Sequence, residues 1–374
     1  MKVHINNSKL LEALGHIQSI VEKKTTRHIL SNVKISTHKN QITLFTTNLD
    51  LFAKESIDAI VQGQFTTTVP SHVFYEIIKK IGNGKEVQLI FEPSPNPLTM
   101  LIVTGLSQFR LPCLPDNEFP NFEEGEHSCE FKIRSDYLYY LISKTKHAIS
   151  SDETRYYLNG VLLHVTKNKN ANILRAVTTD VHRLAIGEVV LPNNAHLLPD
   201  IILPKKTVLE LLKLLENFIG NIEVGVSSNK ITLKIANTTL ISKLIDGKFP
   251  DYIKAVPYNN KTILKISVSE LIKALDLVTT VSTEKIITVK LHLQRNKVIL
   301  SVSHKINSFA KIEVPSIYNG NDMIIAFNPK YIIDILTNLK SDTAYFKLKS
   351  SSTAALVEDS SDDNCRFILM PMQV

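Results

Sequence analysis

The chain has 374 residues, 44% of them hydrophobic and 21% charged, a length that exceeds one ordinary core and suits two or three domains. No apolar run approaches the roughly 18 residues of a membrane span, and Cys113, Cys129 and Cys365 are widely spaced with no C-x-x-C pair, which argues against a disulfide framework or a thiolate metal site. The formal charge of +7 favours a polyanionic partner, although lysine is abundant along the whole chain.

The start, MKVHINNSKLLEALGHI, is polar and amphipathic without the apolar core of a secretory signal, so a cytoplasmic protein is expected. Val3 and Ile5 alternate as in a short strand, Ser8 stands where a cap would accept the first free helical amides, and Leu10 and Leu14 begin a helix expected over 8–24. KISTHKNQITLFTT (34–47) reads as strand, turn and strand. TTTVPSHVFYEIIKKI (66–81) runs from a strand through a proline into an amphipathic helix over 71–81. GNGK (82–85) lacks the first glycine of a phosphate loop and reads as the turn after that helix. LPDNEFPNF (114–122) then leads into the acidic stretch NFEEGEHSCE (121–130), a linker by composition.

The pattern now starts again. Phe131, Ile133, Asp136, Leu138 and Ile142 repeat the strand, cap and helix, here over 135–150, and LLHVTKNKNANILRAVTT (162–179) repeats the hairpin. DIILPKKTVLELLKLL (200–215) repeats the proline-led helix, over 205–216, and LIDGKFPDY (244–252) repeats the closing phrase before a second linker, IKAVPYNNKT (253–262). A third copy follows with Leu264, Ile266, Ser269, Leu271 and Leu275, a helix over 268–280, the hairpin KLHLQRNKVILSVS (290–303) and IIAFNPKYIIDILTNL (324–339), with its helix over 328–340. It ends in CRFILMPMQV, an apolar tail whose proline is unsuited to the interior of a strand ladder. The expected fold class is α+β in three similar domains, 1–125, 129–255 and 256–374, each with two helices and antiparallel strands.

Motifs with a catalytic mechanism are missing. There is no G-x-S-x-G elbow, no complete phosphate loop and no H-E-x-x-H pair, and the 12 histidines are scattered. Asp180 and His182 in TTDVHRLA, two apart in a strand-like stretch, would point to the same side, but no nucleophile accompanies them. A hydrolase and a repeat-built peptide-binding scaffold stand as alternatives to a nucleic-acid partner.

RYYLNGVLL (155–163), TTDVHRLA (178–185), SKLIDGKFPDY (242–252) and the terminal MPMQV, in this order and on this three-fold layout, resemble the bacterial β sliding clamps, the processivity subunits of replicative DNA polymerase III. The resemblance runs the length of the chain. It implies a DNA-clamp fold that closes into a ring as a head-to-tail homodimer, around double-stranded DNA, with helices lining the hole and sheets outside. It implies no catalytic residue, cofactor, metal or membrane, and as protein partners the polymerase III alpha subunit, the clamp loader and other clamp-motif proteins. A ring holds duplex topologically, so weak phosphate attraction suffices. Five of the six expected helices carry one net positive charge and the helix of 268–280 one net negative charge, a modest bias.

Carried over by position, the resemblance puts Lys23, Lys24, Lys79, Lys80, Arg155, Tyr156, Tyr157, Lys205 and Lys206 on the DNA side. It also implies an apolar groove for a linear peptide. From the second domain come Leu158, Thr179, Val181, His182, Arg183, Leu184, Pro250, Lys254 and Ala255; from the third come Ile286, Asn328, Tyr331, Ser352, Ala354, Ile368, Leu369, Met370, Pro371 and Met372. Two positions depart from the family: Val181 stands where glycine is usual and would be strained if the backbone needs positive φ, and Gln373 stands where arginine is common.

Overall fold

The structure, a computed structural model, describes residues 1–22, 25–92, 98–121, 123–168, 171–284, 286–304 and 308–373. In the first repeat β1 (Lys2–Asn6) turns Val3 and Ile5 inward and runs straight into α1 (Asn7–Ile17). Then come β2 (Asn32–His38), β3 (Gln41–Thr47), β4 (Leu51–Asp58), the short β5 (Ile60–Gln62) and β6 (Thr66–Pro70). α2 (Ser71–Ile81) leads to β7 (Glu86–Glu92), β8 (Thr99–Thr104) and β9 (Ser107–Pro112).

The second repeat has β10 (Cys129–Arg134), α3 (Ser135–Thr145), β11 (Gly160–Asn168), β12 (Ala171–Thr179), β13 (Arg183–Val190) and β14 (Ile201–Pro204). α4 (Lys205–Leu215) is followed by β15 (Asn221–Val226), β16 (Lys230–Ile235) and β17 (Thr238–Lys243). The third has β18 (Thr262–Ser267), α5 (Val268–Thr279), β19 (Val289–Gln294), β20 (Lys297–His304), β21 (Ser308–Tyr318) and β22 (Met323–Phe327). It closes with α6 (Pro329–Leu336), β23 (Thr343–Leu348), β24 (Ala355–Asp359) and β25 (Asp362–Leu369).

Some local expectations shift. Each opening strand enters its helix without a linker, so the caps fall earlier than Ser8 and Ser269: Asn6 accepts from the amide of Ser8, and Ser267 from that of Glu270. Asp136 instead pairs with Arg134 on the surface at 2.6 Å. The helix expected over 8–24 stops at Ile17, continues as a 3-10 turn to Ile20, and gives way to extended backbone at Val21. Much of the apolar tail is a paired strand after all: β25 lies between β13 and β24, and the ladder ends at Leu369, ahead of Pro371. The three cysteines are buried and free, and burial pushes the Cys365 thiol up to about 11.

The chain forms two compact units. One comprises 1–136, 192–198 and 209–244, with a five-stranded sheet ordered β5-β1-β7-β8-β9 and an eight-stranded sheet ordered β10-β15-β16-β17-β4-β3-β2-β6. Within it, the buried Asn7 at the start of α1 donates to the carbonyl oxygens of Ile78 and Gly82, tying α1 to the end of α2. The other comprises 137–191, 199–208 and 245–374, with a twelve-stranded sheet ordered β14-β11-β12-β13-β25-β24-β23-β18-β21-β20-β19-β22. The repeats therefore share sheets. The last strand of one repeat pairs antiparallel with a strand of the repeat before it: β17 with β4, and β25 with β13.

Candidate functional site

The second unit gathers much of the TTDVHRL word and the tail. β13 and β25 align Arg183 with Leu369 and Leu184 with Ile368, and the carbonyl oxygen of His182 accepts from the amide of Met370 at 2.9 Å. Asp180 and His182 are in the turn between β12 and β13, not in a strand. Thr179 Oγ1 donates to the Arg183 carbonyl at 2.7 Å and accepts from the Val181 amide, while Asp180 Oδ1 accepts from the amides of His182 and Arg183. Asp180 is thereby occupied in shaping the turn. Val181 takes φ +78°, the left-handed conformation that strains a β-branched side chain.

Arg183 is buried, and its charge is balanced twice. Nε donates to Asp180 Oδ2 at 3.0 Å and Nη1 to Asp334 Oδ2 at 2.5 Å, while the guanidinium lies 4.3 Å from the centre of the Tyr331 ring. The exposed His182 stacks on the same tyrosine, with ring centres 6.4 Å apart and 21° between planes. Asn328 caps α6, the helix that supplies Tyr331, by accepting from the Lys330 amide at 3.0 Å. Behind β13, the half-buried His147 is driven down to about 3, by desolvation first and then by the Arg183 charge, so its ring is neutral.

An apolar cluster lies alongside: Leu158, Leu184, Ile368, Phe249 and Tyr252 are buried together, with Ala354 packed against them. Leu369 belongs to the neighbouring core, whereas Met370 is 40% exposed. Met372 pairs its backbone with Ala326 and accepts the Thr288 hydroxyl at its sulfur, and Pro371 between them is half-buried. The remaining expected groove residues occupy more open segments. Pro250 is exposed, Lys254 pairs with Asp251 in the turn that also holds Ala255, Ser352 lies beside Ser350 in the 350–353 turn, and Ile286 is exposed.

Below the cluster, Tyr252 is the acceptor for Arg175 Nη1 at 2.9 Å and the partner of His164 Nε2. Arg175 also grips Glu188, which Arg366 meets from β25. Sequence reading missed Asp334 and this network. Asp334 had one available signal, its i, i+3 spacing from Tyr331. The pairing of Glu188 with two arginines had none, because it depends on strand register.

The residues expected on the DNA side divide between the units. In the second, Lys205 at the start of α4 donates from its backbone to the Asn159 carbonyl and from Nζ to Ser151 Oγ at 2.7 Å, which sets it beside the 151–159 segment. There Tyr156 is exposed and Tyr157 half-buried against the apolar cluster, edge to face at 5.8 Å. The pair sits in a 3-10 turn that turns one ring out and one in. Arg155 bonds Asp152, whose carboxyl falls to about 2 through hydrogen bonds from Thr154 and Arg155. Lys206 is half-buried next to Lys205. In the first unit Lys79 and Lys80 are exposed at the end of α2, Lys79 over the Tyr75 ring. Lys23 and Lys24 lie outside the described residues.

The first unit also has an apolar edge. A groove of about 910 Å³ beside β9 is lined by Val73, Ile77, Ile81, Leu106 and Phe109, with Lys80 at its side. Among the described residues no helix is long and apolar enough to cross a membrane.

Three family models match end to end: DNA polymerase III beta subunit, N-terminal domain over 1–123, central domain over 132–251 and C-terminal domain over 253–373. A beta sliding clamp of Caulobacter vibrioides is 36% identical over 374 residues, covering all of both chains. Among solved structures, a Caulobacter crescentus beta sliding clamp superposes with a TM-score of 0.95 at 36% identity over 100% of this chain and 99% of that one. A Bartonella birtlesii DnaN sliding clamp, DNA polymerase III subunit beta, crystallised with griselimycin, gives 0.95 at 33% identity over the whole of both chains.

Proposed function

Because the chain belongs to the family of bacterial beta sliding clamps, the beta subunits of DNA polymerase III, we propose that its repeats act as three clamp domains, 1–125, 129–255 and 256–374, in the bacterial cytoplasm. The chain is a non-catalytic processivity subunit, a sliding clamp that closes as a homodimeric ring around duplex DNA and tethers the replicative polymerase. The scaffold that never encircles DNA is set aside, since relatives matched over their full length are sliding clamps.

One observation carries the ring. The seam rule that pairs β17 with β4 and β25 with β13 leaves two stretches unserved in a single chain: β9, the last strand of its sheet in the first repeat, and residues 308–315 of β21, the strand that in the third repeat corresponds to β4 and β13, where β20 is the one paired neighbour among the described residues and β18 meets only 316–318. Both present exposed apolar side chains there, Leu106 and Phe109 beside β9 and Phe309 on β21. Pairing β9 of one copy with β21 of a second, twice around a two-fold axis, completes the rule and leaves no such edge open. A closed ring needs no sequence-specific contact, so dispersed cations such as Lys79, Lys80 and Lys205, with Tyr156, are sufficient to meet phosphates and bases.

The groove of His182, Arg183, Leu184, Tyr331 and Met370 serves the other task, holding a linear peptide of the polymerase alpha subunit, the clamp loader or other clamp-motif proteins. Its buried apolar floor, stacked aromatic ring and adaptable methionine support that role.

The test is topological. Placed on a nicked circle by a clamp loader with ATP, the wild-type protein stays on in high salt and runs off once the circle is linearised. The variant carrying Leu106→Asp and Phe109→Asp scatters light as a monomer and is not retained. Equal retention on circle and linear DNA would overturn the ring.

A further inference from the structure

Val181 is a β-branched residue at φ +78° with its side chain 47% exposed. That conformation persists in a residue of this kind only where the surroundings hold it. Here the holding passes through Arg183. Asp180 fixes the turn with one carboxylate oxygen on the amides of His182 and Arg183, and its other oxygen takes Arg183 Nε. The far side of the same guanidinium is taken by Asp334, which stands outside the turn on α6 three residues after Tyr331. Arg183 is therefore a strut, 8% exposed, running from the turn's own carboxylate to a helix of the next repeat. With both carboxylates engaged, its charge is neutralised in place, and its work is to fix geometry instead of attracting acidic residues of a partner.

We propose that Asp334 is a positioning residue of the peptide groove: through Arg183 it holds the 179–183 turn, and with it Val181, in the shape that receives an extended, apolar peptide. The inference rests on the peptide-groove reading above. Val181 then fills the rim with an apolar side chain, and the strut is what allows a β-branched residue to remain there.

The experiment is a double-mutant cycle on the full-length protein, read by fluorescence polarisation with a labelled peptide carrying the clamp-binding segment of the polymerase alpha subunit. Asp334→Asn is expected to weaken binding about tenfold, and Asp334→Glu to restore most of it. In a Val181→Gly background, where the backbone needs no strut, Asp334→Asn should weaken binding by less than about threefold. Equal weakening in both backgrounds, or none in either, overturns the proposal. Thermal melts run beside the titrations: an Asp334→Asn protein that melts well below its parent and loses binding in both backgrounds also overturns it. Arg183→Ala separates the two levels. If it leaves binding unchanged the groove reading itself fails; if it weakens binding while Asp334→Asn does not, only the strut fails.

Discussion

At the β4–β17 seam Glu55, 5% exposed, is met by His16 Nδ1 at 2.9 Å and by the Thr238 hydroxyl at 3.0 Å; at the β13–β25 seam Glu188, 3% exposed, lies between Arg175 and Arg366. The two seams share a backbone plan, with five aligned residue pairs each, and each buries a carboxylate that must find a cation. They differ in which cation. Guanidinium keeps its charge at any pH where the protein folds, whereas imidazole keeps it only when protonated. The second seam is accordingly fixed, and it adds further pairs within its unit, Arg183 with Asp334 and Lys144 with Asp362. The first is a seam whose strength depends on protons.

The comparison breaks most readily at Glu188. Glu188→Ala leaves Arg175 and Arg366 without their shared acceptor, one of them largely buried, and is expected to destabilise the protein by about 3–5 kcal/mol. Urea unfolding would show this as a lower midpoint, with the loss equal at pH 6 and pH 8. A loss below about 1 kcal/mol would mean that the second seam does not depend on its central carboxylate.

How far the sequence reaches follows the same division. The repeats, their strands and the proline-led helices are legible because period-two alternation and helical spacing are local properties. The seams are not, because Glu55 and Thr238 are separated by 183 residues and Arg366 and Glu188 by 178, and only strand register brings them together. At the site, the departure at Val181 was visible as a question of positive φ, and the structure gives that φ. The bend at Asp180 was hidden inside a strand-like word, because the bonds of Thr179 and Asp180 to the backbone override the β propensity of their neighbours.

A middle-sized effect sharpens the contrast at the first seam. His16 titrates above its ordinary value, chiefly through its hydrogen bond to Glu55, which outweighs the opposing effect of burial; Glu12 adds a smaller contribution. A raised folded value means that the stabilisation is complete below the unfolded value near 6.5 and is lost as pH rises through the folded one. Lys9, Asp58 and Lys213 line the same cavity and set the field in which this happens. Glu55→Gln removes the anion that retains the proton, so it is expected to cost about 2 kcal/mol at pH 6 and less at pH 8, and to flatten the wild-type decline between them. A variant whose stability still falls with pH as steeply as wild type would place the dependence on other groups.

The smallest effect separates the two partners of Glu55. Thr238 supplies a neutral donor from the adjoining repeat, and its hydroxyl is needed at every pH, whereas His16 from the same repeat as Glu55 is needed as a cation. Thr238→Val keeps the shape and removes one hydrogen bond, a loss of about 1 kcal/mol. With that donor gone the carboxylate leans more heavily on the imidazolium, so the fall in stability with rising pH should become steeper than in wild type. In the His16→Gln background, which has no proton to lose, Thr238→Val should cost the same at pH 6 and pH 8. If the valine variant instead shows an unchanged slope, the two donors act independently, and the seam is joined across the repeats by a hydroxyl that the proton does not reach.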